Sequence, residues 1–389
     1  MSETSTNNLL IAPTPLVDIG VNLTNSRFDG KHDEIIEQSL EAGVKTLIVT
    51  GTSVPESEAA FKLCQQYPEQ LYFTAGVHPH DASSYDKTTS ATLRDLSKEA
   101  SCVAIGEAGL DFNRNFSTPE QQIAAFEAQI ELAIETGKPM FLHERDAFNR
   151  QFEMLKSYRD QLSNAVIHCF TGDQKSLFGY LDLDLYIGIT GWVCDERRGT
   201  ELQQLVHNIP LDRLMIETDS PYLLPRNMVK KPKDRSNRPA FLPWVLHQIT
   251  QSYQQHAPEK DGVEINELAL AIKTGDNART FFNLPSVEHH KRKNMTQYPI
   301  FIDFECSNPD EDGFPIAVCW SLPDGQVKTT LITPEDHWLN SSSHLFDDER
   351  VNLDDLMMHG VSALEVIREM QGDIDQDVVY SDALGEDEH

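Results

Sequence analysis

The stretch VAIGEAGLD, residues 103–111, is a near-continuous apolar run that ends in a carboxylate, and a helical stretch, PEQQIAAFEAQIELAIETG (119–137), follows it. Apolar strands of this kind, each followed by a helix, mark a parallel sheet covered on both faces. The same rhythm recurs in LVDIGVN (16–22), TLIVTG (46–51), LYFTAGVH (71–78), PMFLHERD (139–146), AVIHCFTG (165–172), LYIGITGW (185–192) and LMIETDSP (214–221), which makes eight runs. The segments EIIEQSLEAG (34–43), KSLFGYL (175–181) and ELQQLVHNI (201–209) read as helices between them. Eight such units in about 250 residues predict an α/β fold, a (β/α)8 TIM barrel. The rival is an open doubly wound sheet, but no Gly-rich phosphate loop follows the first run.

The chain of 389 residues is long enough for one large domain and a smaller one. No apolar run approaches the roughly 18 residues that a membrane helix needs. The start, MSETSTNNLLIAPTP, has neither a basic segment nor a long apolar one, so the expectation is a cytoplasmic protein with no membrane partner. The net charge is −30, and residues 296–389 hold 22 acidic and 3 basic residues of the total. Such a surface is a poor broad platform for nucleic acid, so a phosphate substrate would have to be drawn in locally, by metal ions or a few arginines. The six cysteines are scattered and contain no CxxC pair, which argues against a disulfide framework or a structural zinc site.

Reactive groups of a (β/α)8 barrel sit at the C-terminal ends of its strands. Here those ends carry His78 and His80, Glu107 and Asp111, His143, His168, and Glu217 with Asp219. Any one of these alone reads most simply as a satisfied polar residue. Together, five strands that each end in His, Glu or Asp provide what a carboxylate–imidazole metal site needs, because its ligands must converge from separate elements.

The motifs AGVHPHD, IGEAGLDFNRNFSTPEQQ, FLHERDA, VIHCFTG, YIGITGWVCDERRG and IETDSPYLLPR resemble those of the TatD-type metal-dependent deoxyribonucleases, within the amidohydrolase-like barrels. The likeness covers roughly residues 15–285. It implies phosphodiester hydrolysis with a divalent metal, as a 3′→5′ exonuclease on single-stranded DNA or on RNA. The matching positions imply Glu107, His143 and His168 as metal ligands, with Asp219 as a further ligand or the base that orients the attacking water. His78 and His80 lie where a phosphate would pass and can donate to it, although a capping role serves one of them equally well. Arg145, Arg197 and Arg226 are phosphate contacts by placement, against the plainer reading of surface ion pairs. Asp18 and Glu217 stay outside the catalytic set: Asp18 either reaches the site or caps a turn, and Glu217 points to the barrel floor or pairs with a cation.

One departure concerns the first strand, where the family usually carries a His-x-His pair. Here Gly20 and Asn22 stand in those places, a pattern shared by the branch around the family's namesake. Glycine has no side-chain donor and Asn is a weak neutral ligand. The expectation is one well-held metal, with a second weak or brought in by substrate. Oxygen and nitrogen donors fit Mg2+ or Mn2+, and the two histidines also suit Zn2+. The alternatives are another amidohydrolase-type hydrolase on the same barrel, or a catalytically weak partner protein.

Beyond Leu284 the rhythm stops. The organisation predicted is an N-terminal tail (1–14), the barrel (15–285), a linker (286–296) around PSVEHHKRKN, and a second module (297–389). YPIFIDFECSN (298–308), PIAVCWSL (315–322) and QVKTTLIT (326–333) read as a meander with a turn at Asp324–Gly325. GVSALEVIREMQ (360–371) reads as a helix and DVVYSD (377–382) as a strand. Asp303 and Glu305, two apart on one strand, face one side and resemble the D-x-E motif of the DnaQ/ribonuclease T exonucleases, with Asp382 as their next carboxylate. That family needs a later histidine and a fourth carboxylate, for which no room remains. The module therefore reads as an incomplete ribonuclease H-like fold without activity, in a monomer.

Overall fold

A computed structural model describes residues 9–260, 262–285, 300–306, 314–322, 327–335, 338, 353–373 and 379–380. The chain divides into two compact units, Met1–Ser286 and Val287–His389. The expected linker, the turn at Asp324–Gly325 and Asp382 lie outside the described residues.

The first unit is the (β/α)8 barrel. Its strands are β1 Leu16–Val21, β2 Val44–Val49, β3 Leu71–Ala75, β4 Cys102–Asp111, β5 Met140–Arg145, β6 Ala165–Ile167, β7 Tyr186–Ile189 and β8 Leu214–Ile216. They pair in chain order, each parallel to the next. A bridge between Val21 and Ser220 closes the ring. Asn22 N donates to Ser220 O (2.8 Å) and Asp219 N to Gly20 O (2.9 Å) across that seam. The helices are α1 His32–Glu41, α2 Val54–Gln66, α3 Lys87–Leu96, α4 Pro119–Thr136, α5 Phe148–Tyr158, α6 Gln174–Asp182, α7 Thr200–Leu205, α8 Leu242–His256 and α9 Glu267–Phe282, with a short hairpin of β9 Glu259–Lys260 and β10 Val263–Glu264 before the last.

Side-chain alternation along the strands sorts the core into two. Val17, Ile19, Ile48, Phe141, Val166 and Met215 form an interior cluster, which the end of α9 joins through Phe281 and Phe282. Leu16, Val21, Leu47 and Val49 belong to the larger cluster with the helices. The N-terminal tail is fastened where it is described, since Ala12 N donates to Ala42 O (2.9 Å).

Helix α4 shows how local sequence sets the frame of the site. Thr118 and Gln121 form a reciprocal capping box, Pro119 occupies the first turn, and Gly137 ends the helix in the left-handed region (φ 68°). Its Gln122 and Gln129, seven apart, share the inward face. Gln122 accepts from Asp111 N (2.8 Å) and donates to Asp111 O (3.0 Å). Gln129 accepts from Val77 N (2.8 Å) and donates to Val77 O (3.0 Å). One helix thus fixes the backbone ends of both β3 and β4.

The second unit is a five-stranded sheet in the order β14-β13-β12-β11-β15. Its strands are β11 Ile300–Cys306, β12 Pro315–Ser321, β13 Val327–Thr333, β14 Val361–Ser362 and β15 Val379–Tyr380, with helices α10 Leu353–His359 and α11 Ala363–Asp373. The first three strands are antiparallel, and β14 and β15 run parallel to β13 and β11. Ile316, Val318 and Trp320 alternate inward along β12, and Leu356 and Val366 bring the two helices to that face. Asp303 lies on β11 and is exposed.

Candidate metal centre

Three imidazole nitrogens meet one carboxylate oxygen at the C-terminal mouth of the barrel. Glu107 Oε1 lies 2.8 Å from His168 Nε2, 3.0 Å from His143 Nδ1 and 3.4 Å from His78 Nε2. Glu107 is on β4 and His143 on β5, His168 follows β6 directly, and His78 lies three residues past the end of β3. The neighbouring strands of a parallel barrel thus bring to Glu107 imidazoles that lie 29, 36 and 61 residues from it in sequence.

The histidines are not equivalent. His78 Nδ1 accepts from His80 N (3.1 Å), so neutral His78 carries its proton on Nε2, facing Glu107. Burial holds His78 neutral, with its pKa pushed down to about 3. His78 is therefore a donor to the centre, and its free lone pair is already committed to the backbone. His168 sits between two carboxylates, with Nδ1 3.4 Å from Glu217 Oε2. Burial opposes its charge, but Glu107 and Glu217 together raise its pKa well above the ordinary value. His143 is raised by Asp111 and Glu107 against the same burial. Burial also works against ionisation of Glu107, and the charge of His168 together with hydrogen bonds from His143 and His168 overcomes it, leaving Glu107 well below the usual range.

These residues fit a divalent cation. His143 Nε2 is buried and makes no hydrogen bond, with Asp111 Oδ2 at 3.5 Å. His143 Nδ1 and His168 Nε2 both lie within 3.0 Å of Glu107 Oε1, so a carboxylate and two imidazoles converge on one point. The donor set of carboxylate and imidazole suits a first-row or alkaline-earth ion. The carboxylates that raise His143 and His168 give the point where they meet the negative surroundings that favour a cation.

Asp219 follows β8. Asn22 Nδ2 donates to its Oδ1 (2.8 Å) and to Ser220 O (3.3 Å). Burial pushes Asp219 up to about 7 against the charge of His168. Asn22, read from sequence as a weak ligand, thus has its amide engaged in holding Asp219. Asp18 is buried and ties β1 to β8, accepting from Thr218 N (2.9 Å) and Thr218 Oγ1 (2.5 Å). It closes the ring and does not face the histidine cluster through a hydrogen bond.

Glu217 is the residue that sequence reasoning set aside and the structure brings in. It is fully buried, contacts His168, and accepts from Cys169 N. A carboxylate on the second nitrogen of a metal-ligating histidine fixes its tautomer and orientation. The only signal available was its place two residues before Asp219.

The other expected contacts separate. His80 Nε2 is 2.8 Å from Asp111 Oδ2, which places it at the rim beside the cluster. Arg145 ends β5, is exposed, and has no side-chain ion pair among the described residues. Arg226 is engaged with Glu196 through two hydrogen bonds (2.8 and 2.5 Å), and Arg197 with Asp195 (3.3 Å). For those two the ion-pair reading is the one the structure favours.

A closed (β/α)8 barrel whose mouth gathers histidines from separate strands around a buried carboxylate has the architecture of a metal-dependent hydrolase. The chain belongs to the TatD related DNase family, whose model matches residues 17–283. Proteins described as 3′-5′ ssDNA/RNA exonuclease TatD are similar: that of Erwinia tasmaniensis is 49% identical over 69% of this chain and 100% of its own length, and that of Klebsiella pneumoniae 50% over 69% and 98%. The fold matches crystal structures of the TatD homologue YJJV from Escherichia coli K12 (TM-score 0.61, 23% identity, 69% of this chain and 98% of that one) and a TatD family hydrolase from Entamoeba histolytica (0.62, 23%, 70% and 99%). Residues 284–389 lie beyond the family match. Among the described residues no helix is long and apolar enough to cross a membrane.

Proposed function

We propose that the barrel is a 3′→5′ exonuclease on single-stranded DNA or RNA, with Glu107, His143, His168 and Asp219 holding a divalent ion, Mg2+ or Mn2+ in preference to Zn2+. The observation that carries this is the meeting of three imidazole nitrogens on Glu107 Oε1. The similarity to proteins named as 3′-5′ ssDNA/RNA exonucleases supplies the substrate and the direction. When bound, the ion lowers the pKa of a water and neutralises charge that builds on the phosphoryl oxygens.

The chain's own residues do the rest. Asp219, held by Asn22, orients the attacking water and takes its proton. His78 offers its Nε2 proton towards the centre, and His80 and Arg145 at the rim receive the phosphate. Attack at phosphorus breaks the P–O3′ bond. It frees a 5′-mononucleotide and leaves a shortened strand with a 3′ hydroxyl. Gly20 supplies no donor and the Asn22 amide is occupied, which supports one tightly held ion and a second carried in with substrate.

The barrel of residues 15–285 works as a monomer in the cytoplasm, with 1–14 as a tail and 286–296 as a linker. The module 297–389 resembles part of an exonuclease fold and contributes no activity. Its acidic surplus is unfavourable for a polyanion, and Asp303 stands exposed.

The test is digestion of a 5′-labelled single strand with Mg2+ or Mn2+, beside a circular single strand. Stepwise shortening from the 3′ end, stopped by a chelator, with the circle intact, is the expected result. Cutting of the circle would overturn the exonuclease reading.

A further inference from the structure

We propose that Phe116 is a stacking platform for the unpaired 3′-terminal base of the strand being cut, an inference that rests on the nuclease reading above. Phe116 is 66% exposed, on the loop between β4 and α4. A single exposed phenylalanine is ordinary, but this one stands on a loop fixed on both sides of it. Asp111 Oδ1 accepts from Asn113 N (3.0 Å) and Arg114 N (2.9 Å). Asn115 adopts the left-handed region (φ 50°) and its Nδ2 donates to Phe112 O (2.7 Å). Ser117, only 2% exposed, donates to His80 O (2.9 Å), accepts from Ser83 N (2.9 Å), and has its carbonyl bonded by Gln122 (3.0 Å). The chain on either side is pinned, while the ring between them faces water.

The position points at the centre. The Phe116 ring stands edge-to-face on His80, 4.8 Å between centroids at 89°. His80 is 4.2 Å from His78 by the same measure, and His78 Nε2 is 3.4 Å from Glu107 Oε1. Two histidine rings separate the exposed face from the carboxylate. Tyr222, 47% exposed beside Asp219, differs: Arg27 lies 5.9 Å from its ring and Asn25 Nδ2 donates to its hydroxyl (3.0 Å). Phe116 keeps an uncovered face for a flat partner. Stacking of a base on an aromatic ring tolerates any sequence, because every base has a π face. An unpaired terminal base can turn its face to the ring freely, whereas a paired one is held in the orientation of the duplex, so the contact favours single-stranded ends.

The experiment compares two single strands that differ only in whether the 3′-terminal nucleotide carries a base, with the full chain and Mg2+. The intact protein is expected to prefer the base-bearing end by about ten-fold in kcat/KM, within the range that one stacked base supplies. In Phe116→Ala the preference collapses towards one, mainly through KM, and Phe116→Trp restores it. A Phe116→Ala protein that keeps the preference would overturn the stacking role and leave the nuclease reading intact. Failure of the intact protein to degrade either strand would overturn both.

Discussion

The carboxylate of Glu217 occupies the space that a side chain at position 20 would need. A Cβ on Gly20 would collide with Glu217 Oε2 and come within 3.1 Å of Phe141 Cζ, and a Cβ on Gly188 would lie 2.9 Å from Glu217 Oε1. Because β8 pairs with β7 and closes on β1, glycines on both flanking strands leave a slot from which Glu217 reaches His168. The absent first-strand histidine and the seated Glu217 are two sides of one packing solution. Gly20→Ala is expected to push Glu217 from His168 and reduce metal affinity about 10- to 100-fold, the usual effect of disturbing a ligand's supporting partner. Titration with Mn2+ measures it, and unchanged affinity would disprove the slot.

Metal binding should expel protons. His168 and His143 have raised pKa values in the metal-free protein and must lose their protons to ligate. Calorimetry near neutral pH in buffers of different ionisation enthalpy is expected to show release of roughly one to two protons per ion. Affinity should fall as pH falls. Heats independent of buffer would show that these histidines bind the ion without titrating.

Asp18 predicts a pH dependence of stability with a definite sign. Burial raises its pKa to about 8, against the hydrogen bonds from Thr218. A carboxyl raised in the folded state favours folding when protonated, so its contribution weakens as pH rises from about 4, its unfolded value, towards about 8. Thermal melting of the chelator-treated protein should show Asp18→Asn losing less stability over that window than the parent. Parallel profiles would remove Asp18 as the source.

The arginines should divide by their partners. Arg145→Ala is expected to raise KM for a single strand about ten-fold, a charge-assisted phosphate contact's worth. Arg226→Ala, whose guanidinium pairs with Glu196, should change KM less than two-fold, as exposed ion pairs contribute little. The reverse order would place the phosphate on the β7–β8 side of the mouth.

The barrel was legible because strands buried on both faces are apolar almost throughout, and each of the eight ended in polar or small residues. Glu107, His143 and His168 stood out as acids and imidazoles at successive strand ends. The supporting groups were hidden for physical reasons. Glu217 gains meaning only once β7, β8 and β1 are neighbours, and Asn22 reaches Asp219 across 197 residues. Gln122 and Gln129 look like solvated helix positions, yet both are buried because they bond the backbone of the site's loops. The proton on His78 depends on a backbone N–H two residues away. Arg197 and Arg226 looked like phosphate ligands until the fold set acids beside them.

The most direct test of the central claim, that the chemistry belongs to the barrel mouth, is digestion of a 5′-labelled single strand by the intact protein, Asp219→Asn and Asp303→Asn in Mg2+. The account predicts that Asp219→Asn loses at least about a hundred-fold, within the span of a general base, while Asp303→Asn matches the parent. Full activity in Asp219→Asn, with loss in Asp303→Asn, would place the reaction in the second unit and contradict it.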